Sequence, residues 1–161
     1  MQRCLAVLAL LAVSGMAAAA HPCDGGKLSR LVSYTATYDA ARLLAEPAVA
    51  AQIKLKLGKE AAKLHRNLGV VGPVELRGCA LALEGNAPHQ GGEEHAYLEV
   101  NLFSGEVSAG ILSGGHVALY AGLPRYDLLS AALRDWATVA ASGFRYRMAP
   151  PPNTRLHAGG Q

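Results

Sequence analysis

The residues best suited to chemistry lie in one polar stretch near the middle of the chain. Residues 84–94 contain three glycines, one proline and no large apolar side chain, and a histidine follows directly. Two imidazoles and a carboxylate can bind zinc and leave a coordination position open for water. The side chains of this kind are His89, Glu93, Glu94 and His95. A metal centre is therefore the first chemistry to consider.

The spacing of the two histidines argues against a metal. His89 and His95 are six residues apart in a Gly-rich segment. The zinc-binding HExxH motif depends on a helix that places both imidazoles on one face, and a Gly-rich segment supplies no such geometry. We therefore expect no metal and no cofactor. A connection of this length between two strands is instead typical of a functional loop, with a merely solvated loop as the alternative.

Motifs typical of enzymes are missing from the sequence. There is no G-x-S-x-G, no P-loop and no dinucleotide-binding fingerprint. We expect a protein that is not an enzyme and predict no catalytic residue. An unrecognised hydrolase remains an alternative class, and it would need titratable groups that converge in a pocket.

The first 20 residues have the pattern of a secretory signal peptide. Arg3 is their only charge, an apolar run over residues 4–13 follows, and four alanines provide the small residues needed for cleavage. The apolar run is shorter than the ~20 residues that cross a bilayer. We expect cleavage near Ala20 and His21 and a periplasmic or secreted protein with no membrane attachment after the signal peptide is removed.

The charged residues and the cysteines of the sequence indicate which partners and which covalent bonds to expect. The chain has 15 Lys and Arg against 12 Asp and Glu, and its only basic concentration, from Lys54 to Arg66, has no interleaved aromatic residues, so we expect no nucleic-acid partner. Removal of the signal peptide leaves two cysteines, Cys23 and Cys79. In an oxidising compartment we expect them to form a disulfide, with free thiols or a metal site as the alternatives.

Helical and strand patterns surround the polar stretch. Apolar residues at spacings of three or four predict a short helix from Thr37 and, after Pro47, an amphipathic helix of about five turns that ends at Leu68. Beyond Gly69, short apolar runs and Gly-containing turns predict an antiparallel meander of about five strands, and Asp127 is expected to cap a last helix. That last helix carries Trp136 as a core residue.

These patterns predict a single α+β domain over residues 21–148. It comprises two N-terminal helices, the antiparallel sheet and one C-terminal helix. Residues 149–161 contain three consecutive prolines and a Gly-rich end, so we expect a disordered tail.

Pro88 and His89 lie in the polar stretch between two predicted strands. The order of elements around this Pro-His pair resembles the inhibitor of vertebrate lysozyme (Ivy) family. The resemblance extends roughly from Tyr38 to Trp136 and includes the sequence Leu-Leu-Ala-Glu-Pro before the second helix. In that family a loop reading Cys-Lys-Pro-His-Asp-Cys-Gly enters the active-site cleft of lysozyme. The corresponding residues here read Asn86-Ala87-Pro88-His89-Gln90-Gly91-Gly92. The Pro-His pair and the last glycine match, whereas both loop cysteines and the acidic residue are absent.

The resemblance implies a lysozyme inhibitor that binds c-type lysozyme or another cell-wall-related protein. It places Asn86, Pro88, His89 and Gln90 in the partner-binding loop. Without the disulfide ring, the glycines at 91 and 92 are expected to leave the loop freer, which raises the entropy lost on docking. The alternative is a periplasmic interaction or structural module of the same fold with a different partner. The oligomeric state is left open.

We predict that protein recovered from the periplasm begins near His21. The physical reason is the small-residue cleavage site that follows the apolar run. The intact mass of the exported protein checks this, and an exported protein that still begins with Met1 would contradict it.

Overall fold

A mixed β-sheet forms the centre of the protein. The computed structural model describes residues 23–141 and 150–158, so the predicted signal peptide lies outside the described residues. Across those two ranges the sheet has seven strands. They are β1 (Val70–Val71), β2 (Glu75–Arg77), β3 (Ala80–Asn86), β4 (His95–Asn101), β5 (Val107–Ser113), β6 (His116–Ala121) and β7 (Thr154–Ala158).

The strands from β3 to β6 form the predicted antiparallel meander. Each pairs with the next along the chain, and β1 and β2 both pair with the free side of β3. The β3–β4 register runs from Ala80 opposite Asn101 to Asn86 opposite His95. β3 therefore ends opposite the residue at which β4 begins, and Pro88 and His89 lie in the connection between them.

Helices cover both faces of the sheet. They are α1 (Ala40–Ala45), α2 (Pro47–Leu57), α3 (Ala61–Asn67) and α4 (Ala131–Ala140). Because side chains alternate along a strand, Leu98 of β4 packs with α1–α3 in one core while Tyr97 packs with Trp136 of α4 in the other. The predicted core position of Trp136 is confirmed, since its side chain is buried. No helix in the described ranges is long and apolar enough to cross a membrane.

The predicted five-turn helix is wrong in one respect, because it is interrupted in the middle. The helix α2 ends at Leu57, a 3₁₀ turn spans Gly58–Glu60, and α3 begins at Ala61. Gly58 has φ of 52°, a left-handed conformation that favours glycine. The predicted apolar stripe nevertheless faces the core on both sides of the break, since Ile53 and Leu64 are buried.

Two predictions for the C-terminal part are also wrong. Ser130, and not Asp127, caps α4: the Ser130 hydroxyl accepts a hydrogen bond from the Leu133 N–H at 3.0 Å. Within the predicted disordered tail, Thr154–Ala158 forms β7, which pairs in parallel with β6. A strand in the tail, together with the split of the first apolar run into β1 and β2, explains why seven strands replace the expected five.

The predicted disulfide is present between Cys23 and Cys79. Their Cα atoms are 5.3 Å apart, and 56 positions separate them in the sequence. The bond ties the segment before the first helix to the turn between β2 and β3. On the same turn, the Cys79 carbonyl accepts a hydrogen bond from the Leu102 N–H at 2.8 Å.

We predict that replacing Cys23 and Cys79 together by serine lowers the free energy of unfolding by about 4 kcal/mol, because the unfolded chain regains the freedom of a long closed loop. Urea unfolding of the oxidised protein and of the variant measures the difference. Equal midpoints would contradict the prediction.

Candidate functional site

The connection between β3 and β4 is shorter than predicted. The expected loop covers residues 84–94, but β3 continues through Asn86, which pairs with Val70 on one side and His95 on the other. The loop therefore spans residues 87–94, and we call it the Pro-His loop. Of the predicted binding residues, Pro88, His89 and Gln90 lie in it and are exposed, whereas Asn86 is half-buried at its base.

A tight turn forms the tip of the Pro-His loop. The Gln90 N–H donates to the Ala87 carbonyl at 3.1 Å, so Pro88 and His89 are the two central residues. His89 has φ of 62°. Proline in the second position and a positive φ in the third are the signature of a type II turn, and histidine is among the non-glycine residues enriched at positive φ. This turn fixes the backbone beneath the exposed imidazole.

Further hydrogen bonds close the loop at its base. The N–H groups of Glu93 and Glu94 donate to the Gln90 carbonyl at 3.2 and 3.1 Å, and the Ala87 N–H donates to the Glu94 carbonyl at 2.9 Å. The ring of Pro88 also lies against Gly69: a Cβ atom built on that glycine would be 3.1 Å from the proline Cδ. The loop backbone is therefore hydrogen-bonded to itself both at the tip and at the base.

The Glu94 carboxylate fastens the loop to the rest of the protein. One oxygen accepts hydrogen bonds from Arg66 Nη2 at 2.8 Å and Asn67 Nδ2 at 3.1 Å, and the other accepts from Ser113 Oγ at 2.6 Å. Burial acts to raise the pKa of Glu94, but the hydrogen bonds from Ser113, Asn67 and Arg66 outweigh it and hold the pKa below its usual range. Glu94 is thus an ionised anchor in the folded protein.

Asn67 joins this anchor to the sheet. Its side chain is fully buried, and its amide nitrogen also lies 3.4 Å from the His95 carbonyl oxygen and 3.2 Å from that of Leu112. Its side-chain oxygen accepts from Arg66 Nε at 3.3 Å. The end of α3 is therefore connected to β4, β5 and the loop at a single point.

His95 lies away from the tip, and its side chain contacts other residues of the fold. Its Nε2 is 3.3 Å from a Glu84 carboxylate oxygen, and its ring centroid is 5.6 Å from that of Trp136. Burial lowers the pKa of His95, and the nearby Glu84 partly opposes this effect. The four side chains considered for zinc are therefore separated: His89 lies at the exposed tip, Glu94 forms the anchor, His95 packs against α4, and Glu93 is exposed. The described residues contain no group of three or more His, Cys, Asp or Glu that could hold a metal ion.

The sequence did not indicate the partners of Glu94. Arg66, Asn67 and Ser113 lie 28, 27 and 19 positions away from it, on other elements. None of them belongs to a motif with Glu94, so only the fold brings them together.

Comparison with protein-family models gives a match. A protein-family model described as inhibitor of vertebrate lysozyme (Ivy) matches residues 48–142, which is more than half of the chain and includes the whole Pro-His loop. The chain belongs to the Ivy family. Comparison with curated proteins and with solved structures gives no match. The resemblance inferred from the Pro-His loop and the order of elements is confirmed.

We predict that this Ivy-family protein, purified without added metal, contains no stoichiometric zinc. The reason is that Glu94 is occupied by three hydrogen-bond donors and His95 is directed towards Glu84 and Trp136. Elemental analysis of the purified protein provides the measurement. One zinc per chain that is lost in His89→Ala would show the prediction to be wrong.

Proposed function

We propose that this Ivy-family protein is a periplasmic or secreted lysozyme inhibitor and that the Pro-His loop enters the active-site cleft of the enzyme. The observation that carries the proposal is the turn at its tip, which presents His89 to solvent on a backbone held by hydrogen bonds. An exposed loop whose backbone is hydrogen-bonded before binding loses less entropy when it docks. The family match to inhibitors of lysozyme supports the same function.

The chemistry of a lysozyme cleft suits an imidazole. Such a cleft contains one carboxyl group that stays protonated and one carboxylate that is ionised. A neutral imidazole can accept a hydrogen bond from the first or donate one to the second. His89 would therefore replace polar groups of the substrate, and no glycosidic bond would be available for cleavage. The inhibitor itself needs no catalytic residue.

Export would bring the protein to the compartment in which it meets a lysozyme. Two features support it: the pattern of residues 1–20 and the Cys23–Cys79 disulfide, a bond typical of oxidising compartments. An exported inhibitor would act on the enzyme before it reaches its cell-wall substrate.

A second candidate function is an interaction or structural module with another partner. The observation that favours it is the loop sequence, in which Asn86, Gln90 and Gly91 replace the family's two cysteines and acidic residue. These differences change the groups available for contact around His89.

We predict that the purified mature protein slows the hydrolysis of bacterial cell walls by c-type lysozyme and that His89→Asn weakens this inhibition roughly thirtyfold, as for a central contact of about 2 kcal/mol. Asparagine tolerates positive φ, so the free energy of unfolding should change by less than about 0.5 kcal/mol. Inhibition constants and urea unfolding are the two measurements.

The matched control is Phe103→Asn. Phe103 carries a ring that is 63% exposed in the turn between β4 and β5, at the opposite end of β4 from the Pro-His loop. The Phe103→Asn variant should inhibit lysozyme as well as the wild type does. If the wild type does not inhibit lysozyme at all, the interaction module becomes the better function; if His89→Asn inhibits as well as the wild type, the loop is not the contact surface.

A further inference from the structure

We propose that Glu94 is the positioning residue of the Pro-His loop and that its carboxylate keeps the loop in its binding conformation without a disulfide ring. The effect on inhibition rests on the proposed function. The effect on loop order does not, and it can be measured without a lysozyme.

Backbone and side-chain contacts of the loop converge on Glu94. Its carbonyl accepts from the Ala87 N–H and its own N–H donates to the Gln90 carbonyl, so the first residue and the middle of the loop are both bonded to Glu94. Among the described residues, Glu94 is also the one member of the loop whose side chain hydrogen-bonds to atoms outside it. Loss of this side-chain anchor should therefore loosen the whole loop.

The site is built for a carboxylate. Arg66, Asn67 and Ser113 all direct donor groups at the Glu94 side chain, and a carboxylate only accepts hydrogen bonds. A glutamine there would keep one acceptor oxygen for Arg66 and Asn67, and its NH₂ group would fit only if the Ser113 hydroxyl turned to accept. It would also replace charge-assisted hydrogen bonds by neutral ones, which are roughly half as strong. The lowered pKa of Glu94 agrees with this preference for the ionised form.

Most of the anchoring comes from the shielded contacts. Arg66 is 54% exposed, and an ion pair to such a side chain contributes little because water screens it. The bonds from buried Asn67 and from Ser113 are less accessible to water, since the Glu94 side chain is only 16% exposed. Substitution of Glu94 therefore disturbs buried hydrogen bonds as well as a surface ion pair.

The first experiment compares Glu94→Gln with Glu46→Gln. Glu46 is a matched control because its side chain is also 16% exposed and accepts hydrogen bonds from Arg30 at 2.7 Å and Tyr34 at 2.9 Å, far along the chain from the loop. We expect Glu94→Gln to speed amide hydrogen exchange in the loop about tenfold, as for the loss of roughly one hydrogen bond, and Glu46→Gln to leave it unchanged. Inhibition of lysozyme should weaken in the same proportion in Glu94→Gln alone.

A second experiment restores the loop by another route. Asn86→Cys and Gly91→Cys, introduced into the Glu94→Gln variant, would close a ring around the tip, and a Cβ atom at Gly91 meets no heavy atom within 4 Å. Once the intact mass shows the added disulfide, slow exchange and inhibition should return. The same variant with serines at both positions should stay loose. If Glu94 merely stabilised the fold, a ring confined to the loop would not restore slow exchange and inhibition.

The outcomes separate the two proposals. If the wild type does not inhibit lysozyme, the proposed function fails, while the exchange rates of the Glu94→Gln and Glu46→Gln variants still decide the role of Glu94. If Glu94→Gln exchanges like the wild type, or if Glu46→Gln loosens the loop equally, Glu94 is not the positioning residue.

Discussion

A side-chain amide without access to water must find hydrogen-bond partners inside the protein, and this requirement at Asn67 determines how the helical layer meets the sheet. The Asn67 amide contacts Glu94, the carbonyl of His95 and the carbonyl of Leu112. Each bond left unmade in a buried position costs about 1–3 kcal/mol. The end of α3, the first residue of β4 and the end of β5 therefore keep one arrangement, and this arrangement also fixes the base of the loop.

Local patterns in the sequence predict the elements on which this arrangement is built. Alternation and Gly-containing turns correctly predict β4, β5 and β6, and the apolar stripe correctly predicts which helix residues face the core. The pattern does not reveal the break at Gly58, because the same apolar positions serve a straight helix and an interrupted one. It also misses β7, because the pairing of β6 with β7 joins residues far apart in the sequence, such as Val117 and Thr154.

The candidate site also has one part that the sequence predicts and another part that only the fold reveals. Turn chemistry makes Pro88 and His89 recognisable as an exposed pair, because proline and a residue tolerant of positive φ suit adjacent turn positions. Glu94 stands out in the sequence only as a possible zinc ligand. Its role as an anchor depends on Arg66 and Ser113, which approach it through the packing of α3 and the pairing of β4 with β5. Because these contacts join residues that are far apart in the chain, they produce no recognisable motif in the sequence.

The parallel pairing of β7 has a consequence for the behaviour of the protein at high concentration. Without β7, the apolar strand β6 would present a row of unpaired backbone groups, which is a template for edge-to-edge aggregation. With β7 in place, the outer strand of the sheet is instead a short one that carries the exposed Arg155. A charged side chain on an edge strand disfavours pairing with a second molecule. β7 thus covers the side of β6 that a second molecule would otherwise be able to pair with.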